Sequence, residues 1–272
     1  MSDTRAPQLE YSEKMALMLD EESRGPKAAK ISAVVRHFLG LDDLSGLKIV
    51  DVGCSGGIIA AALAHGGADV VGVDIDVPGL AKAQEAYGGG VSFLCGDSSA
   101  LPLGDGTADV VICNHIYEHV VDPWALVREM SRIVRPDGMI YLGLGNRLGV
   151  IEPHYRLPFL SWLPRRLAHR YVRASGRADS YYEAFMTRSG LQRLCGGLRV
   201  WDYTYSVLAE PDRFAAGDVV RGPSSRLPHR VLRALRPVVP TFVWVATTGS
   251  ARPAGPALAA GPDPVATRPV QG

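Results

Sequence analysis

The fold is decided by two segments, Ile49-Val50-Asp51-Val52-Gly53-Cys54-Ser55-Gly56-Gly57 and Asp69-Val70-Val71-Gly72-Val73-Asp74. A helix-compatible run joins them, so the chain reads strand, glycine-rich turn, helix, strand and acid. The glycines let the backbone of the turn approach a ligand closely at the N-terminus of the helix. Asp74 ends the second strand beside this turn, where a carboxylate accepts hydrogen bonds from both hydroxyls of a ribose. The two segments therefore predict a parallel α/β sheet that binds an adenosine-containing cofactor.

The spacing of the glycines distinguishes two classes of cofactor. A dinucleotide-binding turn has the pattern G-x-G-x-x-G, and here Ser55 stands in place of the second glycine. Gly53, Ser55 and Gly57 instead alternate as small residues after Asp51. This pattern resembles the first motif of the class I S-adenosylmethionine-dependent methyltransferases, in the branch with the type 11 methyltransferase domain, where glycine is usual at the position of Ser55. The resemblance implies S-adenosylmethionine as the cofactor.

Two more strands are predicted in the order that this family has. Val91–Cys95 leads into Gly96-Asp97-Ser98, where the family typically places a carboxylate against the adenine amino group. Ala108–Cys113 is almost continuously apolar, which is typical of a strand buried on both faces. The crevice between the first and fourth strands is then the switch point of the sheet, where ligands bind in this class of fold. The resemblance therefore implies a cofactor site built from the following residues: Asp51, Gly53, Cys54, Ser55, Gly57, Asp74, Ile75, Asp97, Ser98 and Asn114.

The segment after the fourth strand strengthens the resemblance. Ile116–Trp124 is similar to the Glu-His-Val-x-Asp-Pro segment of type 11 methyltransferases. Asp122 is a good helix N-cap and Pro123 suits the first helical position, so the same residues predict a helix that runs to Val134. Met139–Leu144 then predicts the fifth strand.

The resemblance covers residues 47–145 and implies the α/β fold class: a Rossmann-like, seven-stranded, mostly parallel sheet with an antiparallel last strand and helices on both faces. We expect residues 47–145 to form the S-adenosylmethionine-binding core. Around it we expect a helical cap at 1–46, a basic lid or acceptor-site insertion at 146–199, a sheet hairpin with a basic helical insertion at 200–248 and a disordered tail at 249–272. The cap pattern consists of helices at Leu9–Leu19 and Lys27–Leu39, and the hairpin pattern pairs Val200–Leu208 with Pro240–Val245. The tail prediction rests on repeated Ala, Pro and Gly with few large apolar residues.

Composition narrows the class of protein further. The chain of 272 residues has a formal net charge of +1, which argues against a general nucleic-acid binder. Its apolar fraction of 47% is enough for a core. The four cysteines are scattered and have neither a disulfide nor a zinc spacing, so we expect small buried side chains in a reducing compartment. The start has no apolar signal region and no uncharged run is long enough to span a bilayer, which favours a cytoplasmic location.

Basic residues gather in two segments. Seven arginines lie between Asn146 and Arg177, and the region from Trp162 to Arg173 predicts a basic amphipathic helix with an aromatic edge. The segment Arg221–Arg236 likewise combines arginines with a stripe of apolar residues. Both segments are compatible with peripheral contact at the inner membrane face or with binding of a phosphate, and equally with ordinary solvated helix faces. For Asn146–Gly190 the resemblance favours a role in covering the acceptor site.

The acceptor site is predicted from residues that rim the crevice. Methylation of a hydroxyl requires a group that removes its proton, and the candidates are His115, His119, His154 and Glu152. Ubiquinone-pathway O-methyltransferases carry a comparable Glu-x-x-Glu-His arrangement linked to a divalent cation. Here His115 replaces the first glutamate of that arrangement, so we expect no metal, with His115, Glu118 and His119 as the set that would bind one.

The expected function is S-adenosylmethionine-dependent O-methylation of a glycan, glycolipid or secondary-metabolite hydroxyl. The acceptor is accordingly a small molecule or a glycan- or lipid-linked group, in an actinomycete-like bacterium of high GC content. Two alternatives stay open: N- or C-methylation of a small molecule, and a non-catalytic, membrane-recruited scaffold with the same fold. The sequence leaves the oligomeric state open.

Overall fold

A computed structural model describes residues 8–9, 21–217 and 236–268 of the protein. In chain order its elements are α1 Glu21–Leu39, β1 Lys48–Val52, α2 Ile58–His65, β2 Asp69–Asp74, α3 Val77–Tyr87, β3 Ser92–Cys95, β4 Ala108–Asn114, α4 Pro123–Ile133, β5 Val134–Gly145, α5 Arg165–Ala174, α6 Arg188–Leu194, β6 Arg199–Asp202, α7 Thr204–Ala209, β7 Thr241–Thr247 and β8 Asp263–Val265. Short 3-10 helices lie at Leu160–Trp162 and Arg236–Val238.

One sheet joins all of these strands in the order β3-β2-β1-β4-β5-β7-β6-β8. The strands β1 to β5 are all parallel to one another. β7 runs antiparallel between β5 and β6, and β8 is antiparallel to β6. The chain moves outward from β1 to β3 and then crosses to β4 on the other side of β1, which creates the predicted switch point.

Side chains alternate between two cores, one on each face of the sheet, because successive strand residues point to opposite faces. Val50, Val111 and Ile140 contribute to the core that contains α4 and α6 residues. Ile49, Val110 and Met139 contribute to the core that contains α1 and α2 residues. The α/β, Rossmann-like class with helices on both faces is therefore confirmed, with eight strands instead of seven.

The predicted disordered tail is wrong for residues 249–268. β8 pairs with β6 through Val200 and Val265, and two backbone N–H groups, of Ala254 and Gly255, donate to the carbonyls of Phe38 and His37 at 2.9 Å each. Gly255 permits this approach, because a Cβ there would lie 2.5 Å from the carbonyl oxygen of His37. The composition argument counted apolar side chains, whereas this segment is ordered largely through its main chain.

Other boundaries also differ from the sequence pattern. The strand predicted over Val200–Leu208 ends at Asp202, whose carboxylate accepts a hydrogen bond from the backbone of Thr204 at 3.1 Å, and α7 begins there. A short buried apolar run does not by itself distinguish strand from helix. Cys95, expected to be buried, is exposed, whereas the other three cysteines are buried. The predicted helix at 9–19 and the basic segment at 221–236 lie almost wholly outside the described residues. None of the described helices is long and apolar enough to cross a membrane.

Candidate active site

A cavity of about 210 Å³ opens at the carboxyl ends of β1, β2 and β4. Most of the predicted site residues lie on its wall, namely Gly53, Ser55, Asp74, Ile75, Asp97, Ser98, Asn114, His115, His119 and His154. Four predicted residues do not line the cavity and lie behind this wall, namely Asp51, Cys54, Gly57 and Glu152. The cavity is therefore where the sheet topology predicts a ligand.

The glycine-rich turn is held against β2 by the acid at the end of that strand. The carboxylate of Asp74 accepts hydrogen bonds from the backbone N–H of Ser55 at 2.7 Å and from that of Asp76 at 2.9 Å. Ser55 has φ +47°, a left-handed conformation that favours glycine. This conformation explains why glycine is usual at this position of the motif, and the bond to Asp74 stabilises the turn with serine in place. Burial raises the pKa of Asp74.

Three predicted cofactor residues support the turn from below. Gly57 has φ +74°, and a Cβ there would lie 2.7 Å from the ring of Phe93, so this glycine permits the close packing of the turn. Cys54 is buried. Asp51 is buried, and this burial raises its pKa to about 7, a shift that the charge of Arg24 opposes and the charge of Asp74 reinforces.

Two buried polar atoms on the cavity wall fit a cofactor with hydroxyl, amino and carboxylate groups. Ser55 Oγ and Asn114 Nδ2 have no hydrogen-bond partner among the described residues. Unpaired polar atoms in buried positions are costly and are normally satisfied by a ligand or water. After β3, Asp97 accepts hydrogen bonds from the N–H and hydroxyl of Ser99 at 2.9 and 2.7 Å, which fixes the loop on the adenine side that the family resemblance implies.

A hydrogen-bonded chain of three side chains forms the opposite wall. Glu152 Oε1 lies 2.8 Å from His154 Nδ1, and His154 Nε2 lies 3.1 Å from His119 Nε2. The second oxygen of Glu152 accepts the backbone N–H of Tyr155 at 2.6 Å. Glu152 is buried, so it orients His154 from behind, whereas both imidazoles reach the cavity.

The two imidazoles of this chain differ in protonation. Burial lowers the pKa of His119 to about 3, against the charge of Glu118, so His119 is neutral at physiological pH. Burial also acts to lower the pKa of His154, but the hydrogen bond and charge of Glu152 outweigh it and the net shift is upward. A proton shared by the two rings therefore resides on His154.

A second imidazole–carboxylate pair lies beside this chain. His115 Nδ1 is 3.2 Å from Glu118 Oε1, and His115 has a left-handed backbone with φ +59° directly after β4. Burial acts to raise the pKa of Glu118, but the bond to His115 and the nearby histidines lower it overall. Glu118 Oε2 is buried and has no hydrogen-bond partner in the described part of the chain.

The cation set that the sequence suggested is regrouped in the structure. Glu118, His119 and His154 each offer one ligand atom, and these atoms lie within 4.8 Å of one another. The third member is therefore His154 from the loop after β5, whereas His115 is the hydrogen-bond partner of Glu118.

Several residues of the site were missed by the sequence analysis. Arg24 and Lys27 from α1 and Arg156 from the loop after β5 line the cavity. Glu183 lies behind it, 3.3 Å from the Tyr155 hydroxyl, and burial raises its pKa. Arg156 belongs to the basic segment that the sequence indicates, but no spacing relates these residues, because they come from distant parts of the chain.

The strand order and the glycine-rich turn joined to Asp74 together define a class I S-adenosylmethionine-dependent methyltransferase fold. Solved structures agree with this fold. One is a chain in the complex between the Haloferax volcanii Trm112 methyltransferase activator and a putative methyltransferase, with TM-score 0.54 and 18% identity, covering 86% of this chain and 97% of that one. Another is phosphoethanolamine N-methyltransferase 1 of Haemonchus contortus, with TM-score 0.52 and 14% identity, covering 94% of this chain and 48% of that one.

Sequence comparison identifies the family. The model of the methyltransferase domain matches residues 50–142. An uncharacterized methyltransferase of Mycobacterium ulcerans is 34% identical over 177 residues, covering 64% of this chain and 68% of the relative. Ubiquinone biosynthesis O-methyltransferases of Cupriavidus pinatubonensis and Chromobacterium violaceum are 33% and 34% identical, covering 57% and 56% of this chain and 60% and 68% of those proteins. The chain spans about half to two thirds of the length of the curated relatives that it matches. It belongs to the S-adenosylmethionine-dependent methyltransferases, and this membership makes S-adenosylmethionine its cofactor.

Proposed function

We propose that the protein transfers the methyl group of S-adenosylmethionine to the oxygen of an acceptor hydroxyl on a glycan, glycolipid or secondary metabolite. The observation that carries this proposal is the chain Glu152–His154–His119, which presents two imidazoles to the cavity. Methylation of an uncharged hydroxyl leaves a proton to remove, and a positioned imidazole supported by a carboxylate is suited to that task.

The cofactor would be held on the side of the cavity formed by the ends of β1 to β4. In this proposal Asp74 would accept hydrogen bonds from the ribose hydroxyls and Asp97 would face the adenine, and both residues line the cavity. Ser55 Oγ and Asn114 Nδ2 supply further polar contacts. Bound S-adenosylmethionine supplies a methyl group on a positively charged sulfur, so the protein has to align the acceptor oxygen with that carbon.

The proton path follows from the pKa shifts of the two histidines. With the cofactor bound, an imidazole on the wall would accept the proton of the acceptor hydroxyl as the hydroxyl oxygen bonds to the methyl carbon. The carbon–sulfur bond would break in the same displacement, and S-adenosylhomocysteine would leave with the electron pair of that bond. His119 has a lowered pKa and does not retain a proton, whereas His154 has a raised pKa and does. The proton therefore comes to rest on His154, and the carboxylate of Glu152 stabilises the imidazolium that forms.

Oxygen is favoured over nitrogen or carbon as the methylated atom by the relatives as well as by the site. Several relatives are named ubiquinone biosynthesis O-methyltransferases. Amines that are already unprotonated nucleophiles need a general base less than an alcohol does. A non-catalytic scaffold would have no use for an ordered carboxylate–imidazole chain on the cavity wall.

The test is release of S-adenosylhomocysteine with panels of sugar, lipid-linked and aromatic hydroxyl acceptors, followed by pH profiles of kcat/KM for Glu152→Gln and His154→Gln. We expect His154→Gln to lower the rate about 100-fold or more. Glu152→Gln removes the charge that raises the pKa of His154. The acidic limb of the profile of kcat/KM therefore moves to lower pH, and the maximum value of kcat/KM falls. Glu210→Gln is the matched control, because Glu210 follows the last residue of α7 and does not line the cavity. If Glu152→Gln turns over normally and its pH profile of kcat/KM is unshifted, the assignment of His154 and Glu152 as the proton acceptor and its support is rejected.

A cation bound by Glu118, His119 and His154 is a second candidate arrangement, because Glu118 Oε2 is buried and has no hydrogen-bond partner among the described residues. His119 and His154 belong to this set of three and are also the two imidazoles of the proposed base, so removal of metal distinguishes the two arrangements. If the imidazoles act as a base without a metal, we expect turnover to persist after dialysis against EDTA. Loss of turnover that a divalent cation restores would support the second arrangement instead.

A further inference from the structure

Large apolar side chains are exposed close together in the segment after β5. Val150, Ile151, Phe159, Trp162 and Leu167 are 37 to 49% exposed. Single exposed apolar residues are ordinary, whereas a contiguous group marks an interaction surface. We refer to these five residues as the hairpin patch.

The contacts of this segment bring four residues of the patch together, and the fifth, Leu167, follows in the first turn of α5. Ile151 forms a β-bridge with Pro158, and the N–H of Phe159 donates to the carbonyl of Val150 at 2.7 Å, so residues 150–159 form a small hairpin. The rings of Phe159 and Trp162 are in edge contact with centroids 5.0 Å apart. The indole N–H of Trp162 donates to the carbonyl of Gly149 at 3.0 Å, which fixes this ring over the base of the hairpin.

Phe159 is held outward by an unfavourable backbone. Its φ is +58°, a left-handed value that bulky side chains rarely adopt. Its side chain is nevertheless 48% exposed, so core burial does not offset this strain. A surface phenylalanine in such a conformation is better explained by an apolar environment that it enters on binding.

The helix that follows supplies a positive rim. Ala168 and Val172 of α5 are buried, whereas Arg165, Arg166 and Arg170 are exposed. Between residues 146 and 177 the sequence has seven arginines and a single carboxylate, that of Glu152, which is buried. Apolar and aromatic residues bordered by exposed arginines are the composition of a surface that enters the headgroup region of an anionic bilayer.

We infer that the hairpin patch and the exposed arginines of α5 together bind the surface of an anionic phospholipid bilayer. The apolar side chains enter the boundary between headgroups and acyl chains, and the guanidinium groups pair with lipid phosphates. His154 lies on the same hairpin and lines the cavity, so a docked molecule has its cavity next to the bilayer. The inference concerns binding alone and stands or falls independently of the reaction proposed above.

The test is co-sedimentation of the full chain with vesicles of phosphatidylcholine, with and without phosphatidylglycerol. We expect binding to the anionic vesicles only, and binding that weakens as salt screens the charges. Arg165→Gln/Arg166→Gln should reduce partitioning about fivefold for each arginine removed. Phe159→Asn/Leu167→Gln should reduce it about tenfold or more, and asparagine suits the left-handed backbone, so this variant should fold.

Arg128→Gln/Trp124→Gln is the matched control. It removes one exposed arginine and one exposed tryptophan from α4, a different helix, and we expect it to partition like the natural chain. Thermal unfolding checks that each variant is folded. Equal partitioning of the patch variants and the natural chain, or failure of the natural chain to bind anionic vesicles, would overturn the inference. So would a dimer in light scattering that Phe159→Asn converts to a monomer, because the patch would then be an interface between two copies.

Discussion

Replacement of Asp74 by asparagine separates the observed role of this carboxylate, which is to hold the glycine-rich turn, from its proposed role in binding the cofactor. Both oxygens of Asp74 already accept a backbone N–H, from Ser55 at 2.7 Å and from Asp76 at 2.9 Å. Asparagine has only one acceptor oxygen, so its NH₂ group must face one of these donors. The variant therefore loses a charge-assisted hydrogen bond and leaves a buried N–H unpaired.

The expected loss is about 1–3 kcal/mol in the free energy of unfolding, because relief of the buried charge offsets part of the lost bonding. The change at the ribose is expected to weaken S-adenosylmethionine binding by about 1–3 kcal/mol, or about 5- to 150-fold in Kd. Urea unfolding measures the first quantity. Isothermal titration with S-adenosylmethionine and S-adenosylhomocysteine, with NAD as a negative control, measures the second.

Asp109→Asn is the matched control. This carboxylate also accepts a backbone N–H, from Lys48 at 2.7 Å, and pairs with Arg135, but it lies at the amino end of β4, away from the cavity. We expect a similar loss of stability and a Kd within about twofold of the natural chain. Equal cofactor affinity in the two variants would refute the assignment of Asp74 to the ribose.

Three further outcomes are expected. Burial raises the pKa of Asp51 to about 7 from 3.8, so its contribution to stability is full below about pH 4 and is lost as the pH rises through 7. Asp51→Asn should remove up to about 4 kcal/mol of this pH dependence, measured by urea unfolding from pH 4 to 8. The same change of unfolding free energy with pH in the variant and the natural chain would contradict this prediction. Gly53→Ala places a Cβ against the side chain of Ile116 at φ +78°; we expect about 1–3 kcal/mol of destabilisation and weaker cofactor binding, so unchanged affinity in titration would be inconsistent with this geometry. Gly255→Ala crowds the carbonyl of His37 and should increase hydrogen exchange over residues 254–268, whereas unchanged protection would show that the segment is ordered in another way.

The fold class was predictable because its signals are local. The turn at residues 53–57 needs glycine at φ +78° and +74°, and these two positions are glycine in the sequence. Apolar runs on β1, β2 and β4 indicate strands buried on both faces, and Asp122 and Pro123 start α4 as their types predict. The prediction failed where order comes from main-chain pairing, as in β8, or where a buried apolar run turns into a helix, as after Asp202.

By itself, the sequence determined the strand–turn–helix–strand unit, the class of cofactor and the strand ends that meet at the cavity, because each depends on residues close together in the chain. It also named the histidines that rim the crevice. Only the tertiary structure brought His119 within 3.1 Å of His154, which is 35 residues away, and placed Glu152 behind His154. It likewise decided that Arg24 of α1 and Arg156 of the hairpin share one cavity. These distances depend on how the hairpin after β5 and the helix α1 pack over the sheet, and periodicity along a chain specifies which face a side chain occupies but not its partner across the site.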